Sequence, residues 1–548
     1  SLYGPNSGGV IRFIPEGFGQ VNNEKSLMLS GGSFGLFHEQ LQINHQVNEN
    51  YNFSFDQAYL RSDGYRQHTA MDKLFFQTAH QWKYNAHGKL KGFALYTDMG
   101  YQTPGALTQQ QYDEDPTQFR PAGGPFQSAK DQKAAIYNKT FIGGITNEYQ
   151  ITNRLKNVVS LFGSYTDLEN PFITNYESRI EKNLGFRTYF SYENIDKQDF
   201  QWEMQLGGEG QKGWYNVKNY TNNLGKIGNL TDDDKLENFQ HFYFYRFKTK
   251  LYQKLTAEAS IGLNFNDINF KKTAAGEVNV NGEINFDKSW MPRLGLSYAA
   301  TDNFAIRASI SKGYSTPTIA EVRSSDNQIN QNLNAETGVN YEAGIRFETH
   351  DRRFIADLAA YNYQMKNGII RQLNDAGNEF FQNAGRIDQK GIEAQVLTQL
   401  IANDHSAFLN GLILSSNLTY QDYKFKEYVI GENNFNGNKV TSVPNWIWAN
   451  TLSFNFIKDI DLNILHNFTS SIPLNDANTV SASKYHVLQA KISWLTPISS
   501  RYKLQVFTGA DNILNEKYSL GNDINAMGNR YFNAAPTRNF YAGVKVIL

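Results

Sequence analysis

The last ten residues, Asn539 to Leu548, read NFYAGVKVIL. Side chains alternate along a strand, so Phe540, Ala542, Val544, Val546 and Leu548 share one face and Asn539, Tyr541, Gly543 and Lys545 the other. The first face is wholly apolar; the second carries a lysine. The same pattern recurs upstream. Leu488, Ala490, Ile492 and Trp494 oppose Val487, Gln489, Lys491 and Ser493, and Phe304, Ile306, Ala308 and Ile310 oppose Ala305, Arg307, Ser309 and Ser311. One apolar and one polar face suits any half-buried antiparallel strand. Strand number, strand length and connections must therefore separate a soluble sandwich from a membrane barrel.

Working outward from the C-terminus, about 22 such segments can be traced, each with about ten or more strand-like residues, the length a tilted strand needs to cross a bilayer. Soluble strands average about 5–6 residues. Short connections fall near 47–51, 84–89, 151–154, 194–199, 299–303, 349–353, 401–406, 458–461 and 496–501. Longer ones lie between them, near 61–72, 103–130, 168–184, 208–238, 269–289, 313–338, 366–380, 423–444, 470–484 and 512–538. Short turns on one rim and long loops on the other are the arrangement of outer-membrane barrels. The expected fold is all-β: a transmembrane antiparallel β-barrel of about 22 strands with short periplasmic turns and long extracellular loops. A lysine facing the bilayer midplane would cost about 2–4 kcal/mol, which places Lys545 in the lumen and the Phe540 face toward lipid. The chain holds 32 Tyr and 38 Phe. Clusters such as Phe242 to Tyr245 and Trp446 with Trp448 are expected to form an interfacial girdle.

Composition narrows the function. The 52 Lys+Arg and 53 Asp+Glu nearly cancel, leaving no basic footprint for nucleic acid. No run approaches about 18 apolar residues, so helical spans are excluded. A mean hydropathy of −0.54 fits a barrel in which only alternate strand residues meet lipid. The absence of cysteine excludes thiol catalysis and Cys-based metal sites. With 13 prolines and no Pro-rich or Gly/Ser-rich tract, no linker divides the chain. No basic-then-apolar leader opens it, so an exported protein is expected here in mature or partial form.

Three strings mimic catalytic or cofactor motifs. Gly31-Gly32-Ser33-Phe34-Gly35 matches a nucleophile elbow, which requires a strand–turn–helix setting; here it falls between two strands and is expected to be a turn. The glycines of 208–213 match GxGxxG without a following helix, and a flexible loop is expected. Asp232, Asp233 and Asp234 are expected on a solvated loop face. The ten histidines are scattered, with no zinc-binding spacing. No metal site, cofactor or catalytic set is expected, and the chain is not expected to be an enzyme.

Five segments resemble the TonB-dependent outer-membrane receptor family, in the family's order and across essentially the whole chain. LYGPNSGGVIRFI, residues 2–14, is similar to the closing piece of its plug domain. The block 311–346 resembles its central barrel signature through Pro317, Thr318, Glu321, Asn332, Leu333, Glu336, Tyr341, Glu342 and Gly344. Asn383-Ala384-Gly385 with Gly391-Ile392-Glu393 resembles the next strand pair, and Val443-Pro444 with its tryptophan-rich strand is similar too. Asp511 to Asn515, Tyr518, and Pro536 to Phe540 resemble the C-terminal pair. Members usually end in an aromatic residue, whereas this chain ends in Leu548.

The resemblance implies residues 1–15 as a plug remnant, with Tyr3, Gly4, Gly8 and Gly9 at its turns, and 16–548 as the barrel. It implies a Gram-negative outer-membrane location and TonB-dependent uptake, with TonB pulling through a segment that precedes Ser1. Lipid and lipopolysaccharide are implied as surroundings. The family's haem boxes correspond to Ser315-Thr316-Pro317 and Asn330 to Leu333, with no intervening histidine, which disfavours haem. Seven methionines disfavour a copper importer. Residues 101–125 look like the first long loops of ferric-siderophore and ferric-citrate receptors. Arg61, Arg66, Arg120, Arg323 and Arg371, with Tyr65, Tyr112 and Trp214, are the expected ligand-binding residues. Arginine suits anionic ferric chelates, and aromatic faces suit their flat surfaces. Another ligand (cobalamin, haem or a different metal chelate), a passive porin-like or secretion barrel, and an outer-membrane hydrolase are the rival readings.

Overall fold

The computed structural model describes residues 4–19, 22–124, 126–194, 199–274, 280–374, 378–402 and 408–548. One antiparallel sheet contains 23 strands, and 22 of them form a closed barrel. Each barrel strand pairs with its neighbour in sequence. The ring closes where Glu24–Gly32 pairs with Asn539–Ile547, with Leu29 opposite Val544 and Met28 opposite Lys545. The remaining strand, Val280–Asn285, pairs with the outer end of Leu255–Ala274, beyond the stretch where Ser289–Ala299 takes over. Closure leaves no unpaired edge to meet lipid.

The register agrees with the lysine argument. Phe540 and Val544 are exposed on the outer wall, while the Lys545 ammonium lies inside, 3.5 Å from the Glu24 carboxylate. Leu29, Phe37, Ile492, Trp494, Val506 and Val544 line one shallow apolar groove on that wall, which is part of the lipid-facing belt. The lumen side is polar and cross-linked by charge. Arg246 bridges Glu203 (3.4 Å) and Glu258 (2.7 Å), Arg187 meets Glu209 at 2.8 Å, and Lys91 meets Glu148 at 2.5 Å. The girdle expectation holds for half of Phe242–Tyr245. Tyr243 and Tyr245 face out, but alternation turns Phe242 and Phe244 into the lumen, where the Arg187 guanidinium sits 4.8 Å from the Phe244 ring.

Several connections expected to be long loops are strand instead. Phe200–Asn222 and Ile227–Leu251 run 23 and 25 residues and meet in a two-residue turn. Its central Leu224 and Gly225 both have positive φ (53° and 83°), the twist-matched geometry of a tight hairpin. The GxGxxG string at 208–213 therefore lies within a strand, and Asp232 to Asp234 lie on the strand facing it. Likewise Leu155–Pro171 and Tyr176–Asn194 are joined only by 172–175. These strands continue outside the hydrocarbon, where neither face needs to be apolar, so the alternation that marks a strand in sequence stops before the strand does. One short turn, 252–254, also lacks a sequence signal: Tyr252 and Gln253 adopt left-handed φ without glycine or asparagine. The Gly31 to Gly35 string lies in a hairpin, as expected: Gly31 and Gly32 end one strand and 33–35 make the turn.

The true loops knit a cap over one rim. Leu107 bridges to Phe532, and a small core of Leu107, Tyr112, Leu474, Ala482, Tyr531 and Phe532 joins three of the loops.

Candidate functional site

At the centre of the cap lies an open basin of about 460 Å3, bounded by loops from several sectors of the barrel. Its charged lining is Arg120, Arg371 and Arg530 with Glu177, Glu379 and Asp523, and Phe126 and Phe172 supply aromatic wall. The Arg120 guanidinium lies 5.7 Å from the Phe126 ring. Arg530 donates from Nη1 to Gln111 Oε1 at 2.9 Å. Among the described residues neither Arg120 nor Arg530 has a carboxylate within ion-pair distance. Arg371 pairs with Glu379, and its buried Nε has no hydrogen-bond partner among the described residues.

The electrostatics follow from this crowding. Burial holds the Arg120 and Arg530 guanidiniums below the usual arginine range, and the two cations further disfavour one another at Arg120. Burial pushes the Asp523 carboxyl up, against the pull of Arg371, Arg120 and Arg66. Two guanidiniums without an ion pair among the described residues can donate to an anion, although Asp523 offsets part of the charge at Arg120. Arginine presents a planar fork of donors that matches carboxylate or similar oxygen pairs.

Of the eight residues expected to bind ligand, only Arg120 and Arg371 line this basin. Arg66 is buried and serves the loop framework: it donates to Gly105 O (2.7 Å), Gln118 O (2.9 Å) and Asn533 Oδ1 (3.0 Å). Tyr112 is packed in the small core, 5.4 Å from Phe532, and burial pushes its hydroxyl up to about 12. Tyr65 makes an edge contact with Phe34. Arg61 is exposed beside Asp63, a loose 3.6 Å pair. Trp214 is in the long hairpin, opposite Lys182 and Glu237 on the outer wall, with the Lys212 ammonium over its ring.

Arg323 differs most from expectation. It is 2% exposed and is held by Asp234 (2.9 Å) and Glu177 (3.4 Å). Asp234 is fully buried, so the acidic run is not a solvated face; it anchors the loop after the short helix Ile319–Val322 to the barrel wall. Arg530 and Asp523 were missed, although both lie in the recognised loop 512–538, and an arginine in a long loop was the very signal used for the others.

Below the cap, residues 4–18 run through the lumen. Gly4 abuts the inward-facing Phe242, Asn6 O accepts from Tyr314 N at 3.3 Å, and Ser7 Oγ is 3.3 Å from Glu336 Oε2. At the other end Glu16 accepts from Gln42 (2.8 Å) and Asn44 (2.7 Å), and Asn52 donates to Gly17 O at 3.0 Å. Between these walls Val10, Ile11, Phe13 and Ile14 are exposed, Phe13 by 88%. Among the described residues nothing stands within 4 Å of where a side chain would begin at Gly8 or Gly9, and Tyr3 lies outside the described residues.

A closed 22-strand barrel, a polar charge-laddered lumen and a chain segment threaded through it narrow the comparison to one family. The family described as TonB dependent receptor-like, beta-barrel, matches residues 22–513. This chain belongs to that family. Its members are transport receptors of the Gram-negative outer membrane, not enzymes. Two ferric enterobactin receptors of Pseudomonas aeruginosa, one of them PirA, are similar in sequence. PirA is 25% identical over 197 residues and the other 24% over 196. The matches cover 31% and 32% of this chain but only 24% and 25% of those proteins. In structure the chain is similar to the unliganded ferric citrate transporter FecA, with a TM-score of 0.79 at 16% identity, covering 98% of this chain and 79% of that one. It is also similar to the ferric-catecholate import receptor Fiu of E. coli K12, with a TM-score of 0.76 at 11% identity, covering 96% and 82%. At these identities the structural likeness speaks to fold.

Proposed function

We propose that this barrel is the outer-membrane receptor for energised uptake of an anionic ferric chelate, a siderophore or ferric citrate. The observation that carries the reading is the pair of guanidiniums, Arg120 and Arg530, brought together in an outward-opening basin with no carboxylate in ion-pair contact with either among the described residues. The relatives' names point the same way, toward ferric enterobactin, ferric citrate and ferric catecholates. The lining contains no histidine among the described residues, which weighs against haem.

Residues 1–15 are read as the last piece of a plug, and 16–548 as the barrel. The exposed apolar run Val10 to Ile14, crossing a polar lumen, supports a packing partner there, and the remainder of a plug supplies one. In this reading TonB pulls on the plug to open a path. Lipopolysaccharide is the proposed neighbour of the outer wall. Lys235 stands directly opposite Lys271 on adjacent strands above the apolar belt, a like-charge pair that a phosphorylated headgroup would relieve.

Equilibrium binding of iron-55 citrate, iron-55 enterobactin, cobalamin and haem to the purified barrel tests the substrate class. Saturable binding of a ferric chelate is the expected result; binding of cobalamin or haem alone would replace it.

A further inference from the structure

Asp476 is 4% exposed, in the cap loop 470–484, with no cation within ion-pair distance among the described residues. Neutral donors from three other loops satisfy it. Thr441 Oγ1 donates to its Oδ1 at 2.5 Å. Gln372 Nε2 (2.8 Å), Tyr428 OH (2.9 Å) and Asn525 Nδ2 (3.1 Å) donate to its Oδ2. Its own backbone N–H donates to Asn525 Oδ1 at 3.0 Å, and its carbonyl accepts from Asn438 Nδ2 at 2.8 Å. A carboxylate offers about four acceptor sites and no donor, so it alone among side chains of its size can collect four donors.

The geometry reaches the basin through two of these partners. Gln372 follows Arg371 directly. Asn525 stands between Asp523 and Met527 with left-handed φ of 50°, and its Nδ2 also donates to Arg371 O at 3.1 Å. The loop carrying Arg371 and the loop carrying Asp523 and Arg530 are thus tied to one another both directly and across a single buried carboxylate.

We propose that Asp476 is the positioning residue of the basin: one buried acid that fixes Arg371 relative to Arg530, so that the anion site exists before the chelate arrives. The proposal rests on the reading of the basin as a chelate site. It assigns Asp476 no contact with ligand. Pre-formed donors lose less freedom on binding, so a pin of this kind appears as affinity.

Two variants of the full chain in detergent test it. Asp476→Asn keeps size but turns one acceptor into a donor that faces donors. Thr441→Val removes one partner on a loop that contributes no residue to the basin. Hydrogen exchange is expected to show Asp476→Asn releasing 369–373, 428–441 and 522–530 together, with protection of the barrel strands retained. Ferric citrate affinity is expected to fall about tenfold, with Thr441→Val giving a smaller loss in the same direction. The Thr441→Val loss is not expected to add to that of Asp476→Asn. Release confined to 474–478 would overturn the proposal, and so would release of all the loops with ferric citrate affinity unchanged. If the wild-type protein binds no ferric chelate, the proposed function fails, and the exchange pattern alone decides whether Asp476 fixes Arg371 relative to Arg530.

Discussion

Arg323 and the Arg120–Arg530 pair are all arginines of the same cap, yet their surroundings are opposite. Arg323 is enclosed between Asp234 and Glu177, so its charge is neutralised inside the protein. Arg120 and Arg530 face a basin with no ion-pair partner among the described residues, and burial makes each less comfortable as a cation. Glu177 sharpens the contrast. It lines the basin, but Arg179 at 2.6 Å and Arg323 at 3.4 Å already hold it. An ion-paired buried arginine holds the cap together, whereas in the proposed function one without an ion pair beside open space is where an external anion fits.

The largest expected effect concerns the partnered arginine. Arg323→Met leaves the buried Asp234 without its ion-pair partner and Glu177 with Arg179 alone, which costs about 3–5 kcal/mol. The expected signs are lost exchange protection in 316–335 and a lower unfolding temperature. An unchanged unfolding temperature with abolished chelate binding would make Arg323 a ligand residue and break the comparison.

Next is the basin pair. Arg120→Ala with Arg530→Ala removes two charge-assisted contacts, each worth about 1.5–3 kcal/mol. Isotherms are expected to show at least about a hundredfold weaker binding of the anionic chelate, with the unfolding temperature held. A large fall in stability instead would place these residues with Arg323.

Asp523 opposes the anion, and its carboxyl lies above the ordinary value of 3.8 because of burial. As pH falls through that raised value the carboxylate is lost, the basin becomes more positive and anion affinity rises; as pH increases the reverse holds. Asp523→Asn is therefore expected to bind up to about tenfold tighter near neutral pH and to flatten the part of the pH dependence that the chelate's own titration does not explain. Weaker binding in Asp523→Asn would show that the carboxylate orients the arginines rather than competing for them.

The smallest effect is expected at Trp214. On the outer wall it is remote from the basin, and Trp214→Ala should leave chelate affinity unchanged, within about 0.5 kcal/mol. A clear loss would mean that the ligand is met outside the cap.

These residues also show what the sequence could disclose. Lys545 placed itself, because a period of two and the cost of a charge in lipid leave one choice. The lipid belt supplies that one-dimensional rule, and it made the barrel and its closing register readable. Asp234 could not be read the same way. Its strand continues beyond the hydrocarbon, where the rule lapses, and its partner Arg323 is 89 residues away along the chain. The site is harder still. Arg120 and Arg530 are brought together by loops from opposite ends of the chain, and whether a loop arginine is neutralised depends on contacts that no local pattern encodes. Loop arginines could be gathered as candidates; sorting Arg66 and Arg323 from Arg120 and Arg371 required the fold.

The most direct measurement is iron anomalous diffraction from crystals grown with whichever ferric chelate binds most tightly. The expected result is an iron peak in the basin, with chelate oxygens hydrogen-bonded to the guanidiniums of both Arg120 and Arg530. An iron peak on the outer wall or deep in the lumen, with both guanidiniums free of the chelate, would contradict it.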